Sequence, residues 1–125
     1  MRDKIRAISQ EVYELIEPYM IEEDITQILD SHGKSTNSPR ACKAGSSVYL
    51  LLSESNEVLY VGESGVSIKS RCFGDGSGAH YQKTWFQEVA KVRHFTKDSE
   101  AEFSKQERKL AEQALSIVLC PKYYI

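Results

Sequence analysis

Residues 46–65 read SSVYLLLSESNEVLYVGESG, and this stretch decides how the centre of the chain folds. Two apolar and aromatic runs, Ser47–Leu52 and Glu57–Gly62, flank the polar sequence SESN, a pattern typical of a β-hairpin. Each run carries one tyrosine, Tyr49 in the first and Tyr60 in the second. Two interpretations are open: the rings pack in a core, as tyrosines in strands often do, or a phenol is presented to a substrate.

The segments around the hairpin favour helices and one further strand. Apolar residues recur at helical spacing in the helical segments, whereas EVAKVRHF alternates as a strand does. The predicted helices are Asp3–Tyr19, Glu22–Ser31, Val66–Phe73 and Glu100–Leu119, and the third strand falls within Trp85–Phe95. This order predicts an α+β fold with a small three-stranded, mostly antiparallel sheet flanked by helices. We expect one compact unit, with residues 1–45 as a helical extension and linker and residues 46–125 as the main domain.

Composition indicates a globular intracellular protein. The chain has 125 residues and a net charge of -2, with no apolar run long enough for a membrane span. Its three cysteines, an odd number far apart in sequence, favour reduced thiols and a cytoplasmic location. The charge is uneven: residues 33–97 carry nine Lys/Arg against five Asp/Glu, whereas residues 1–32 carry three against eight. A locally basic middle can attract a polyanion.

Four features occur in a fixed order along residues 46–125. SVY (residues 47–49) precedes YVG (residues 60–62), Arg71 follows Tyr60 by eleven residues, and Glu112 lies nine residues before Pro121. This ordered set resembles the GIY-YIG nuclease superfamily. Two positions depart from the family pattern, because Ser47 stands where glycine is usual and no asparagine follows Pro121.

The resemblance implies a metal-dependent endonuclease that hydrolyses phosphodiester bonds in DNA, with RNA not excluded. It implies that Glu112 is the single carboxylate ligand of Mg²⁺ or Mn²⁺ and that Arg71 holds a phosphate oxygen. Tyr49 would be the general base and Tyr60 would position water or contact the phosphate, and these two roles can be exchanged. His80, at the end of the glycine-rich segment FGDGSGAH, would touch the phosphate or assist proton transfer. An exposed histidine without a role is the alternative.

Further substrate contacts are expected from Lys69, Lys83 and Tyr81, although ordinary solvated lysines are the simpler interpretation. Trp85 is expected in the core. Two other functions stay open: a catalytically inactive nucleic-acid-binding module on the same scaffold, and a protein-interaction domain. In an interaction domain the acidic first helix would supply the contact to a partner protein. In a nuclease the N-terminal helices would supply the interface of a homodimer or simply wrap the sheet. We expect no membrane association.

Overall fold

The structure is a computed structural model that describes residues 1–124. It confirms the α+β class: four antiparallel strands form one sheet, in the order β1-β4-β2-β3, with four α-helices around it. The elements are α1 (Arg2–Ile16), β1 (Ile21–Asp24), α2 (Ile25–Asp30), β2 (Ser46–Leu52), β3 (Val58–Ser64), α3 (Ile68–Phe73), β4 (Lys91–Lys97) and α4 (Lys105–Leu119). Short 3-10 turns lie at Glu17–Tyr19, Arg40–Cys42, His80–Gln82 and Thr84–Glu88.

The prediction of three strands was wrong, because the segment predicted as helix Glu22–Ser31 begins as a strand. Ile21–Asp24 pairs with β4 at the edge of the sheet, and only Ile25–Asp30 is helical. Asp24 marks the change from strand to helix. Its Oδ1 accepts hydrogen bonds from the backbone N–H groups of Thr26 (2.8 Å) and Gln27 (3.3 Å), so α2 cannot begin before it.

Capping residues also shorten two of the other predicted helices. Ser104 and Glu107 form a capping box, so α4 begins at Lys105 rather than at Glu100. Ser67 accepts a hydrogen bond from the N–H of Ser70 and starts α3 two residues later than predicted. The third predicted strand is shifted to Lys91–Lys97, since Thr84–Glu88 form a 3-10 turn. The predicted hairpin is present, as β2 and β3.

Strand β2 is buried on both sides, because apolar layers cover both faces of the sheet. Residues at even positions, such as Val48 and Leu50, pack with α4, and Tyr13 and Ile16 of α1 close this layer. Odd positions face the opposite layer, which contains α2, α3 and the 3-10 turns. Tyr49 belongs to that second layer, where the predicted site residues gather.

The N-terminal third contributes to both the sheet and the core. Its strand β1 pairs with β4, and Met20 packs against the layer on the α4 side. The boundary after residue 45 stays a prediction. Cys42, Cys72 and Cys120 are free thiols. Among residues 1–124, no helix combines the length and the apolarity needed to cross a membrane.

Candidate active site

Because Gly62 has no side chain, the ring of Tyr49 on the neighbouring strand can lie directly against its backbone. The two residues face each other in the register of β2 and β3. A Cβ placed on Gly62 would lie 2.5 Å from Cζ and 2.6 Å from Oη of Tyr49, closer than real carbon contacts come. Tyr60, two residues earlier on β3, places its ring centroid 6.4 Å from that of Tyr49. The YVG motif therefore brings the two phenols to the same face of the sheet.

His80 joins the two tyrosines from the loop after α3. Its Nε2 shares a hydrogen bond of 2.6 Å with the Tyr49 hydroxyl, and its ring centroid lies 4.7 Å from that of Tyr60. Tyr49 is 1% exposed and His80 7% exposed. Burial lowers the pKa of His80 to about 4, and the charges of Arg71 and Lys83 act in the same direction. The imidazole is therefore neutral at pH 7.

The phenols of Tyr49 and Tyr60 both resist ionisation in the folded protein, because their pKa values are raised. Burial raises the pKa of Tyr49 well above its ordinary value, with smaller contributions from Cys72 and Tyr60. Burial also raises the pKa of Tyr60, and the charge of Glu112 adds to the effect. Arg71 opposes both shifts but does not overcome them. Arg71 therefore favours loss of the phenolic protons, but burial outweighs it and leaves both pKa values raised.

Arg71 and Glu112 act on the same phenols from two different helices. Arg71, in the last turn of α3, is exposed at the rim of a pocket of about 330 Å³. The glycine-rich loop forms the other wall of this pocket through Gly76, Ser77 and Gly78. A guanidinium exposed beside open backbone is placed to meet an anion from solvent.

Glu112 is half-buried on α4, next to strand β3. Burial raises the pKa of its carboxyl and the charge of Glu63 raises it further, whereas Lys109 and a backbone hydrogen bond from Glu63 oppose the shift. No cluster of three or more His, Cys, Asp or Glu side chains that could hold a metal ion occurs in residues 1–124. A single carboxylate still suits Mg²⁺, which commonly takes one or two carboxylates and completes its shell with water and phosphate oxygens.

The predicted substrate-binding residues have different surroundings. Lys69 donates from Nζ to the backbone carbonyls of Leu29 (3.0 Å) and Ser31, so it closes the end of α2 rather than joining the tyrosines. Lys83 lies close enough to His80 to shift its pKa. Tyr81, next to His80 in the chain, is 48% exposed.

Trp85 is in the core, as predicted, and it supports the site. It is 8% exposed and lies between two tyrosine rings. Its centroid is 5.7 Å from that of Tyr60 and 5.2 Å from that of Tyr123, and both pairs are stacked. The 3-10 turn that carries Trp85 therefore holds the ring of Tyr60 by stacking.

Sequence reasoning missed Arg108, one helical turn before Glu112. Its Nε bonds Glu63 Oε2 at 2.8 Å, and its Nη1 bonds Ser46 Oγ and Glu100 Oε1, both at 2.9 Å. Arg108 is 4% exposed, so these are buried charge-assisted hydrogen bonds that tie α4 to β2 and β3. An arginine on the same face as Ala111 and Leu115 was the available signal, because a charge on an apolar helix face requires a partner.

His94 was also left without a role. It is 1% exposed, and its Nε2 lies 2.6 Å from Glu23 Oε1. Glu23 also accepts hydrogen bonds from the backbone N–H groups of Arg40 (2.6 Å) and Ala41 (3.0 Å). This pair binds the edge strand and the following loop to β4, and His94 lies directly opposite Tyr49 in the register of β2 and β4.

No protein-family model, curated protein or solved structure matches this chain. The resemblance to the GIY-YIG superfamily therefore rests on the motif residues of the sequence alone.

Proposed function

We propose that this chain is a GIY-YIG-type endonuclease that hydrolyses phosphodiester bonds in DNA with the help of Mg²⁺ or Mn²⁺. The observation that carries the proposal is the 2.6 Å hydrogen bond between Tyr49 and His80, formed across Gly62 and beside Tyr60. The charges of Arg71 and Glu112 reach the same two phenols. The motif residues lie on β2, β3, α3 and α4, and His80 follows the glycine-rich loop.

The Tyr49–His80 pair offers a path for the proton of an attacking water. In the tautomer with hydrogen on Nδ1, His80 Nε2 accepts the phenolic proton while the Tyr49 oxygen accepts a proton from the water. The new water–phosphorus bond forms as the bond to the leaving oxygen breaks, and the leaving oxygen takes a proton from solvent. This path needs a neutral imidazole and no phenolate, which agrees with the lowered pKa of His80 and the raised pKa of Tyr49.

Arg71 and Glu112 supply the charge that phosphate chemistry needs. Arg71 would hold a non-bridging phosphate oxygen at the rim of the cleft. Glu112 would hold the divalent ion together with water and phosphate oxygens; such an ion neutralises phosphate charge and orients the reacting groups. Tyr60, less buried than Tyr49, would contact the phosphate or the water. The locally basic middle of the chain favours approach of a polyanion.

Cleavage of supercoiled plasmid with Mg²⁺ or Mn²⁺ tests the proposal. The wild type should produce nicked or linear DNA. Tyr49→Phe should lose about 10²–10⁴-fold in rate, the range for a lost acid–base group, and Glu112→Ala should abolish cutting because it removes the carboxylate that would hold the metal ion. Gln113→Ala, an exposed neighbour on α4, is the matched control and should cut normally. Cutting that survives Glu112→Ala would refute the enzyme proposal.

A catalytically inactive nucleic-acid-binding module is the second candidate. The burial of the Tyr49 hydroxyl favours it, because water must reach that oxygen for the proton path to operate. Retention of DNA at low salt without cleavage by any variant would support this module. If neither cutting nor binding occurred, a protein-interaction domain would be the remaining candidate.

A further inference from the structure

Helix α1 carries two different apolar faces. One face packs on the body of the protein through Tyr13 and Ile16, and Ser9 beside them is 5% exposed. The other face is a stripe with alternating spacings of three and four residues, which continues into the 3-10 turn after α1. We call it the α1 seam: Ile5, Ile8, Val12, Leu15 and Tyr19. This is the spacing of the a and d positions of a coiled coil.

The α1 seam is largely exposed. Ile5 is 47% exposed, Ile8 59%, Leu15 73% and Tyr19 72%. On α4, the helix that packs against α1, Leu110 (59%) and Ile117 (37%) are exposed as well. Single exposed apolar residues need no explanation, but an ordered stripe of them on one helix indicates an interface.

The charges of α1 favour helix α1 of a second copy as the partner that covers the α1 seam. Arg2, Lys4 and Arg6 outnumber Asp3 in the first half of the helix, whereas the second half carries only the acidic Glu11 and Glu14. This arrangement opposes the helix dipole, which prefers negative charge at the N-terminal end and positive charge at the C-terminal end. Glu11 and Glu14 have no ion-pair partner among residues 1–124. A helix running antiparallel alongside would place basic residues opposite them.

We propose that the protein forms a two-fold symmetric homodimer in which the α1 seams of two copies pack antiparallel. The same patch is then used on both copies, with the basic half of one helix beside the acidic half of the other. This proposal does not depend on the chemistry of the tyrosine site, which lies across the sheet from the α1 layer.

Sedimentation equilibrium of the full chain between about 1 and 100 µM tests the proposal, since modest interfaces give micromolar dissociation constants. We expect the mass of a dimer for the wild type. Ile8→Asp and Leu15→Asp should give monomers with an unchanged circular dichroism spectrum, because both side chains are exposed and leave the core intact. Leu29→Asp, at a similarly exposed leucine on α2 (49%), is the control and should stay dimeric.

Charge exchange tests the antiparallel orientation. Arg2→Glu with Lys4→Glu should weaken the dimer about tenfold, and Glu11→Lys with Glu14→Lys should do the same. All four changes in one chain should restore the wild-type dissociation constant, because the complementary halves are simply exchanged. A monomeric wild type, a dimer that survives both seam variants, or a fourfold variant that stays weak would each overturn the proposal.

Discussion

The absence of a side chain at Gly62 sets the position of the Tyr49 ring. A methyl group at this position would enter space already filled by Cζ and Oη of Tyr49 and approach Cε2 of Tyr60 at 2.9 Å. Both rings are held by neighbours, Tyr49 by His80 and Tyr60 by Trp85. The glycine of YVG is therefore a packing requirement of the site.

We accordingly predict that Gly62→Ala destabilises the protein by about 1–3 kcal/mol, the usual cost of overpacking. Urea denaturation followed by circular dichroism measures the change. Gly76→Ala is the matched control, because a Cβ at Gly76 would have no atom within 4 Å, and it should change stability little. Equal stability of the two variants would contradict the observed approach of Tyr49 to Gly62.

His80 should make stability depend on pH. Its pKa falls from an ordinary 6.5 to about 4 on folding, so between these values the unfolded chain binds a proton that the folded protein does not. Stability should therefore be complete above pH 6.5 and fall by about 3 kcal/mol as the pH drops towards 4. His80→Gln should remove this part of the pH dependence, whereas His32→Gln, at an exposed histidine, should leave it unchanged. If the stability of the wild type and of His80→Gln depended on pH in the same way, the imidazole would not be buried in its neutral form.

Sequence spacing predicted that Tyr49 and Tyr60 lie close together on the hairpin, but it did not predict their surroundings. The hairpin pattern and the YVG motif were enough to place Tyr49 and Tyr60 on one face. The burial of the Tyr49 hydroxyl and the exposure of Arg71 depend on how α3 and the glycine-rich loop fold over the strands. Spacing along the chain contains no information about that layer, so the direction of the tyrosine pKa shifts could not be predicted.

A single buried charge, Arg108, joins helix α4 to the sheet. Arg108 joins it to Glu63 on β3 and to Ser46 on β2, and the same helix carries Glu112 one turn later. Fixing α4 through Arg108 therefore also fixes Glu112 next to the strands.

We predict that Arg108→Met lowers the free energy of unfolding by about 3 kcal/mol, because it leaves the nearly buried carboxylate of Glu63 without its main partner. Arg93→Met is the matched control: its pair with Glu17 is half-exposed and longer, at 3.2 Å, and should contribute about 1 kcal/mol or less. Thermal unfolding of both variants measures the difference. Losses of similar size would mean that the Arg108 contacts are no stronger than a surface pair.

Strand β1 shows why a helix was predicted wrongly for residues whose neighbours have clear helical spacing. Ile25, Ile28 and Leu29 have helical spacing, and the prediction extended their helix back over residues 22–24. Glu23 is instead drawn to His94 and to two backbone N–H groups, all distant in sequence. Such contacts form only in the folded chain, so a local pattern cannot reveal them.

For the whole molecule, we predict that residues 46–125 do not fold alone. Without β1, strand β4 becomes an unpaired edge, and without residues 1–20 the layer against α4 loses Tyr13, Ile16 and Met20. The circular dichroism spectrum of this fragment should be that of a largely unfolded chain, and mixing it with residues 1–45 should restore structure. A cooperative unfolding transition from the fragment alone would instead support a separate domain beginning at residue 46.

Trp85 is the only tryptophan of the chain, and it is stacked on Tyr60 inside the proposed site. Intrinsic fluorescence excited selectively at the indole therefore comes from one known position. A phosphate backbone that shifts Tyr60 should alter its emission, so occupancy of the cleft can be titrated without a label and even when no bond is cut. The protein thus has its own optical reporter at the place where its function is to be tested.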